Sequence, residues 1–128
     1  MDAYHYFGTD DLYLGYHLIK LLKLGGAMGI VVPGVQEEFG EPPEHMKACW
    51  EWDYCSFQSP RWWSQHWEKT GLVTVEAADS IPNGWQHWLL WDEVNRDGPH
   101  QEQWLQMLRK DAGQNLGFTR LVARKRTD

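Results

Sequence analysis

A chain of 128 residues is expected to form one domain, 1–128, able to bury roughly two-thirds of its unfolded surface. A formal charge of −6 with no long basic run speaks against nucleic acid as a partner, because phosphate neutralisation dominates such affinity. No apolar stretch approaches the ~20 residues of a membrane span and no signal-peptide pattern opens the chain, so no membrane partner and a cytoplasmic location are expected.

Nine Trp in so short a chain are unusual. They suit either a heavy core or the walls of a binding cleft, since indole joins a large apolar body to one N–H.

The first residues, Asp2–Phe7, are aromatic and polar with no strand before them. Thr9 then reads as a helix N-cap, with Asp10 and Asp11 favoured in the first turn by the helix dipole. Leu14, Leu18, Leu21 and Leu22 recur at helical spacing, which predicts a face packed on a sheet. Gly25-Gly26 ends this helix. These glycines stand after a helix and before a strand, the reverse of a phosphate-binding loop.

Ala27–Val32 is short, apolar and bounded by turn signals, and it reads as a strand buried on both faces with neighbours on both edges. Residues 35–58 form a long connection carrying Pro42-Pro43 and the aromatic set Trp50, Trp52, Tyr54 and Phe57. Its aromatic load argues against disorder, and it is expected to be a partly helical cap over a cleft. Glu37, Glu38 and Glu41 read as a solvated acidic loop.

Ser59-Pro60 starts a helix running to about Lys69, with Trp63 and Trp67 on its buried face. Gly71 ends it, and Leu72–Ala77 alternates as a strand. Pro82–Asp97 and His100–Ala112 are predicted helices, the second with Trp104, Leu105 and Leu108 inward. Leu116–Lys125 is a closing strand whose basic end, Arg124–Arg126, is solvated. The fold class is α/β.

The chemistry-bearing patterns are few. Cys49 and Cys55 lack redox CxxC spacing and are expected to be free thiols; with His45 they make only a loose zinc set, so no metal is expected. No Ser-His-Asp arrangement and no P-loop occurs. His17 reads as a surface or packing residue of its helix, and His66 and His87 carry no pattern.

Five strings in order — DAYHYFGTDD, LLK-x-GG, GIVVP, SPRWWSQHWEKTGLVTVE and LGFTRLVARK — resemble the C-terminal half of class I S-adenosylmethionine-dependent methyltransferases. The resemblance spans nearly the whole chain. It implies a partial Rossmann-like methyltransferase sheet: Ala27–Val32, Leu72–Ala77 and Leu116–Lys125 stand as the fifth, sixth and seventh strands, the seventh inserted antiparallel between the other two. Leu24 stands where that family has proline. Neither a GxGxG loop after a strand nor an acidic residue at a second strand end is found, the two features that carry cofactor binding in doubly wound sheets.

By this resemblance Asp2–Phe7 follows the fourth strand, and Tyr4, His5 and Tyr6 line an active site. His5 is the candidate base, its ordinary pKa of about 6.5 suiting that work, with Tyr4 beside it. Asp2 either orients His5 or caps the terminus. Tyr6, Trp50, Trp52, Tyr54 and Phe57 then shape the acceptor pocket. The alternative for the opening segment is a loose terminus.

The expectation is a truncated or split methyltransferase carrying the substrate-side lobe, with S-adenosylmethionine as the implied cofactor. Its partner is a second copy or the missing N-terminal half, joined along the apolar edge of strand 27–32. Two rivals stand beside it. One is a non-catalytic α/β module holding a small molecule in a Trp-rich cleft; the other is a purely structural remnant.

Overall fold

A computed structural model describes residues 3–95 and 97–128; Asp2, and with it the proposed orientation of His5, lies outside the described residues. The chain is α/β, built on three strands with flanking helices. Strands β1 (Ala27–Val35), β2 (Val73–Ser80) and β3 (Leu116–Lys125) lie in the order β1-β3-β2. β3 runs antiparallel to both neighbours, Ile30 facing Leu121 on one side and Ala78 facing Leu121 on the other. The last strand therefore occupies the middle.

Strand β1 departs from expectation in two ways. It continues through Pro33-Gly34 to Val35, and at its start only Ile30 and Val32 are buried while Ala27, Gly29 and Val31 are exposed. The cause is position. β1 pairs only with β3 among the described strands, so it is an edge, where a proline's missing N–H costs no ladder bond. Gly34 is required because the Gln58 carbonyl sits where a Cβ would stand.

The predicted helix over 9–24 is broken. One turn, α1 (Tyr13–Tyr16), is followed by a 3-10 turn at Leu18–Leu21. Gly15 and the aromatic neighbours Tyr13, Tyr16 and His17 are poor helix formers, and the buried anchors Leu14 and Ile19 are five apart, off the helical period. Leu21 consequently points to solvent. Thr9 caps nothing here; the Asp10 carboxylate accepts the Leu12 N–H at 2.7 Å instead. Lys125 secures the broken segment, its ammonium donating to the Ile19 and Leu22 carbonyls at 3.0 Å each.

Helix α2 (Pro60–Glu68) matches its signals. The Ser59 hydroxyl accepts the Trp62 N–H at 3.1 Å as an N-cap, with Pro60 in the first position. Glu38 is not merely solvated, since its carboxylate takes both the Ser59 N–H and hydroxyl, at 2.5 and 2.8 Å. Trp63, His66 and Trp67 form the buried face. They pack on Tyr4, Ile30, Val32, Val73, Leu121 and Ala123, which makes one core on one face of the sheet.

Helices α3 (Gly84–Val94) and α4 (Gly98–Asp111) belong to a second core. Here Leu105, Met107 and Leu108 are buried, and Trp104, Met107 and Leu108 meet Val35, Leu116 and two 3-10 turns, Glu44–Cys49 and Trp52–Ser56. These turns are the helical part of the expected cap. α4 ends with Ala112 and Gly113 both at positive φ, and a side chain at Gly113 would strike the Trp85 indole. Asp111 then ties the helix end to β3. Its carboxylate accepts from Leu116 N at 2.9 Å, Asn115 N at 3.1 Å and Asn115 Nδ2 at 2.7 Å, and lies 2.8 Å from His45 Nε2. Burial alone would raise this carboxyl; the donors outweigh it and hold it below the usual aspartate value.

Two outcomes are expected. Asp111→Ala strands the Leu116 and Asn115 N–H groups in the interior and lowers the unfolding free energy by about 3 kcal/mol in urea titration. His66 is buried with Nε2 donating to the Gly8 carbonyl at 2.8 Å, and its pKa is lowered, chiefly by that burial. The folded chain thus takes up this proton less readily than the unfolded one. Stability is full above pH of about 6.5 and falls as the unfolded chain protonates below it. In denaturation curves collected along a pH series, His66→Gln should lack that part of the acid loss.

Candidate functional site

A cleft of about 670 Å³ opens at the C-terminal end of β1. Pro33 of β1 and Phe118 of β3, paired in register, form its floor. Tyr54 and Phe57 enter from the second 3-10 turn and its end. Helix α3 supplies Trp88, Trp91 and Asp92, at i, i+3 and i+4, with His87 beside them. His100, Gln101 and Trp104 come from the start of α4, where Gly98 at positive φ lets the chain enter that helix.

Four rings close on one another. Tyr54 stacks on Phe57 with centroids 4.9 Å apart, Phe57 meets Trp88 at 5.9 Å, Trp88 meets Trp104 at 5.5 Å, and Trp104 returns to Tyr54 at 5.6 Å. These are ordinary edge, tilted and offset separations for interacting rings. The Trp104 indole N–H donates to Asp92 Oδ2 at 2.9 Å. Arg109 bonds Glu93 at 2.7 Å and laces α3 to α4 beside it.

Asp92 is the acidic group of the cleft wall. Burial raises its pKa, and the Trp104 indole donor offsets part of that rise. The Tyr54 phenol is pushed up to about 12, first by burial and then by the negative charges of Glu51 and Asp53. It is therefore a neutral hydroxyl at physiological pH. At the rim, His100 Nε2 stands 3.5 Å from Glu51 Oε1.

The site residues expected from sequence divide. His5 and Tyr6 lie at the cleft, their rings 4.0 Å apart, with His5 also 5.6 Å from Phe57. Tyr54 and Phe57 join them. Tyr4 does not: it is 0% exposed, packed among Tyr13, Trp63 and Trp67 in the first core, and burial pushes its phenol up to about 12. Consecutive residues of a 3-10 turn point in different directions, so Tyr4 anchors the turn that carries a buried His5 and an exposed Tyr6 at the cleft. Trp50 supports the wall from behind, against Phe39, Tyr54 and Phe57. Trp52 is 87% exposed and belongs to neither core.

Sequence reasoning missed Trp88, Trp91, Asp92 and Phe118 as site residues. The one available signal for the three on α3 was their i, i+3, i+4 spacing, masked because Trp85, Leu89 and Leu90 spread apolar character around that helix; Phe118, on β3, carried none. Among the described residues no group of three or more His, Cys, Asp and Glu side chains could hold a metal. Cys49 is a buried thiol whose pKa burial raises, Cys55 is exposed, and His45 faces Asp111. No helix of the described residues is long and apolar enough to cross a membrane. Comparison with family models, curated proteins and solved structures finds no match.

Because the Trp104 N–H bonds Asp92, its indole resonance should report that carboxyl. An acid titration followed by proton–nitrogen correlation NMR is expected to move the Trp104 Hε1 signal with a midpoint above the ordinary aspartate value of 3.8, and Asp92→Asn should abolish the step.

Proposed function

We propose that residues 1–128 form the acceptor-side lobe of a fold like that of class I S-adenosylmethionine-dependent methyltransferases. The observation that carries this reading is the antiparallel β3 between β1 and β2, with an aromatic cleft at the C-terminal end of β1 and the His5–Tyr6 turn beside it. The strand order is the one that the sequence resemblance implies.

The described residues do not fit the methyl donor by themselves. Gly84, the glycine at the turn from β2 into α3, has its Cβ side against Phe118, so it serves close packing of helix on strand. No strand-to-helix turn among the described residues has the GxGxG pattern. When bound, the donor would supply a methyl group; in this reading its binding elements lie outside residues 1–128, on the same chain or another. What the lobe contributes is positioning of the acceptor between the ring quartet and Tyr6, exclusion of water by those rings, and an imidazole at His5 to take the acceptor's proton.

The outer edge of β1 is unpaired among the described residues, and exposed Val31, Leu21 and Leu24 flank or precede it. Such an edge suits a partner strand, from a second copy or from donor-binding elements.

A second reading, a non-catalytic binding module, is favoured by one observation: the acidic group of the cleft is held by the Trp104 indole N–H rather than left to act on a proton. Titration calorimetry with S-adenosylmethionine, alongside light scattering, separates the readings. The lobe reading expects no donor binding by a lone 128-residue chain and association through β1. Micromolar donor binding by a monomer would overturn that division of labour, and a monomer at high concentration that ignores the donor would turn the choice to the binding module.

A further inference from the structure

The cleft wall combines features that select one kind of ligand. Tyr54, Phe57, Trp88 and Trp104 present ring faces and edges around one volume, and the Asp92 carboxylate is fixed among them by the Trp104 N–H. No Lys or Arg is among the described residues that line the cleft. Glu51 at the rim and Asp53 behind Tyr54 add negative charge from the cap side. The floor of Pro33 and Phe118 is apolar.

Resting on the reading of this cleft as a ligand site, we propose that it binds an amphiphilic cation, a positively charged nitrogen held against Asp92 within the aromatic quartet and an apolar body laid on Pro33 and Phe118. The physical reason is additive. Aromatic faces attract a cation electrostatically, most strongly for Trp and where water is excluded. A carboxylate already anchored by an indole needs no reorganisation to meet the charge. An anionic ligand would set its charge against Asp92 and Glu51, with no Lys or Arg among the described lining residues to offset them. A neutral ligand would bury Asp92 further without pairing it, which costs free energy. At about 670 Å³ the cleft holds far more than an ammonium group, so an apolar body belongs to the ligand.

The test compares three probes of similar shape: phenethylamine, 2-phenylethanol and 3-phenylpropionate. Binding is followed by Trp fluorescence and by the Trp104 indole resonance. The amine should bind roughly tenfold more tightly than the alcohol, and the carboxylate weakest of all. Asp92→Asn should erase the amine's advantage over the alcohol. Should that variant misfold, the native chain serves: acidification through the Asp92 titration should weaken amine binding and spare the alcohol. Equal affinity for amine and alcohol would overturn the inference while leaving a ligand site. A Trp104 signal unmoved by any of the three would overturn the inference and the ligand-site reading together.

Discussion

The Asp111 carboxylate sets the point at which helix α4 becomes strand β3, and the remaining architecture depends on that point. It accepts from the Asn115 and Leu116 amides and faces His45, so it joins helix end, strand start and cap in one buried cluster. With Leu116 held there, β3 enters opposite Val35 and runs back to pair Arg124 with Ala27. A slip of one residue would exchange the two faces of the middle strand. Leu121 and Ala123 would leave the Trp63–Trp67 core, and Phe118 would leave the cleft floor. A polar contact of modest net energy thereby decides where the apolar surface goes.

The two faces of the sheet do different work. One is covered by α2 and the Tyr4 ring, and its residues form a dry aromatic–aliphatic core. On the other, the exposed charged half carries Arg120 with Asp79 and Arg124 with Glu76 as cross-strand pairs, while the opposite end is roofed by α3 and α4. Such exposed pairs add little stability. They do keep a flat strand surface hydrated, so only the roofed end offers an apolar hollow. The cleft arises where the roof, the cap and the N-terminal turn meet.

That meeting point concentrates negative charge beside aromatic surface. Asp92 is held by the Trp104 indole, and the Tyr54 phenol stays neutral because burial and the charges of Glu51 and Asp53 oppose its ionisation. The hollow is thus a place of hydrogen-bond acceptors and ring faces, whichever reaction or binding event it serves. Tyr4 contributes without touching it. Its buried ring fixes the turn that carries His5 and Tyr6 at the hollow.

Much of the element list was legible in the amino acids. The Ser59-Pro60 start, the Trp63–Trp67 spacing, the alternation after Gly71 and the apolar run at 116–125 are local signals, and each produced its element. The helix over 9–24 was over-read because its leucines repeat at helical spacing, whereas Gly15 and the packing of Leu14 and Ile19 broke it. In the cleft, the aromatic load of the cap pointed to Tyr54 and Phe57, but sequence could not separate them from Trp52, an equally aromatic side chain that ended in solvent. By itself, then, the sequence determined the kinds of element, their order and the richness in rings. Only the tertiary structure decided which rings face one hollow, since that depends on β3 entering between β1 and β2 and on α3 and α4 folding over one strand end. Those contacts join residues far apart in the chain, and no local periodicity encodes them.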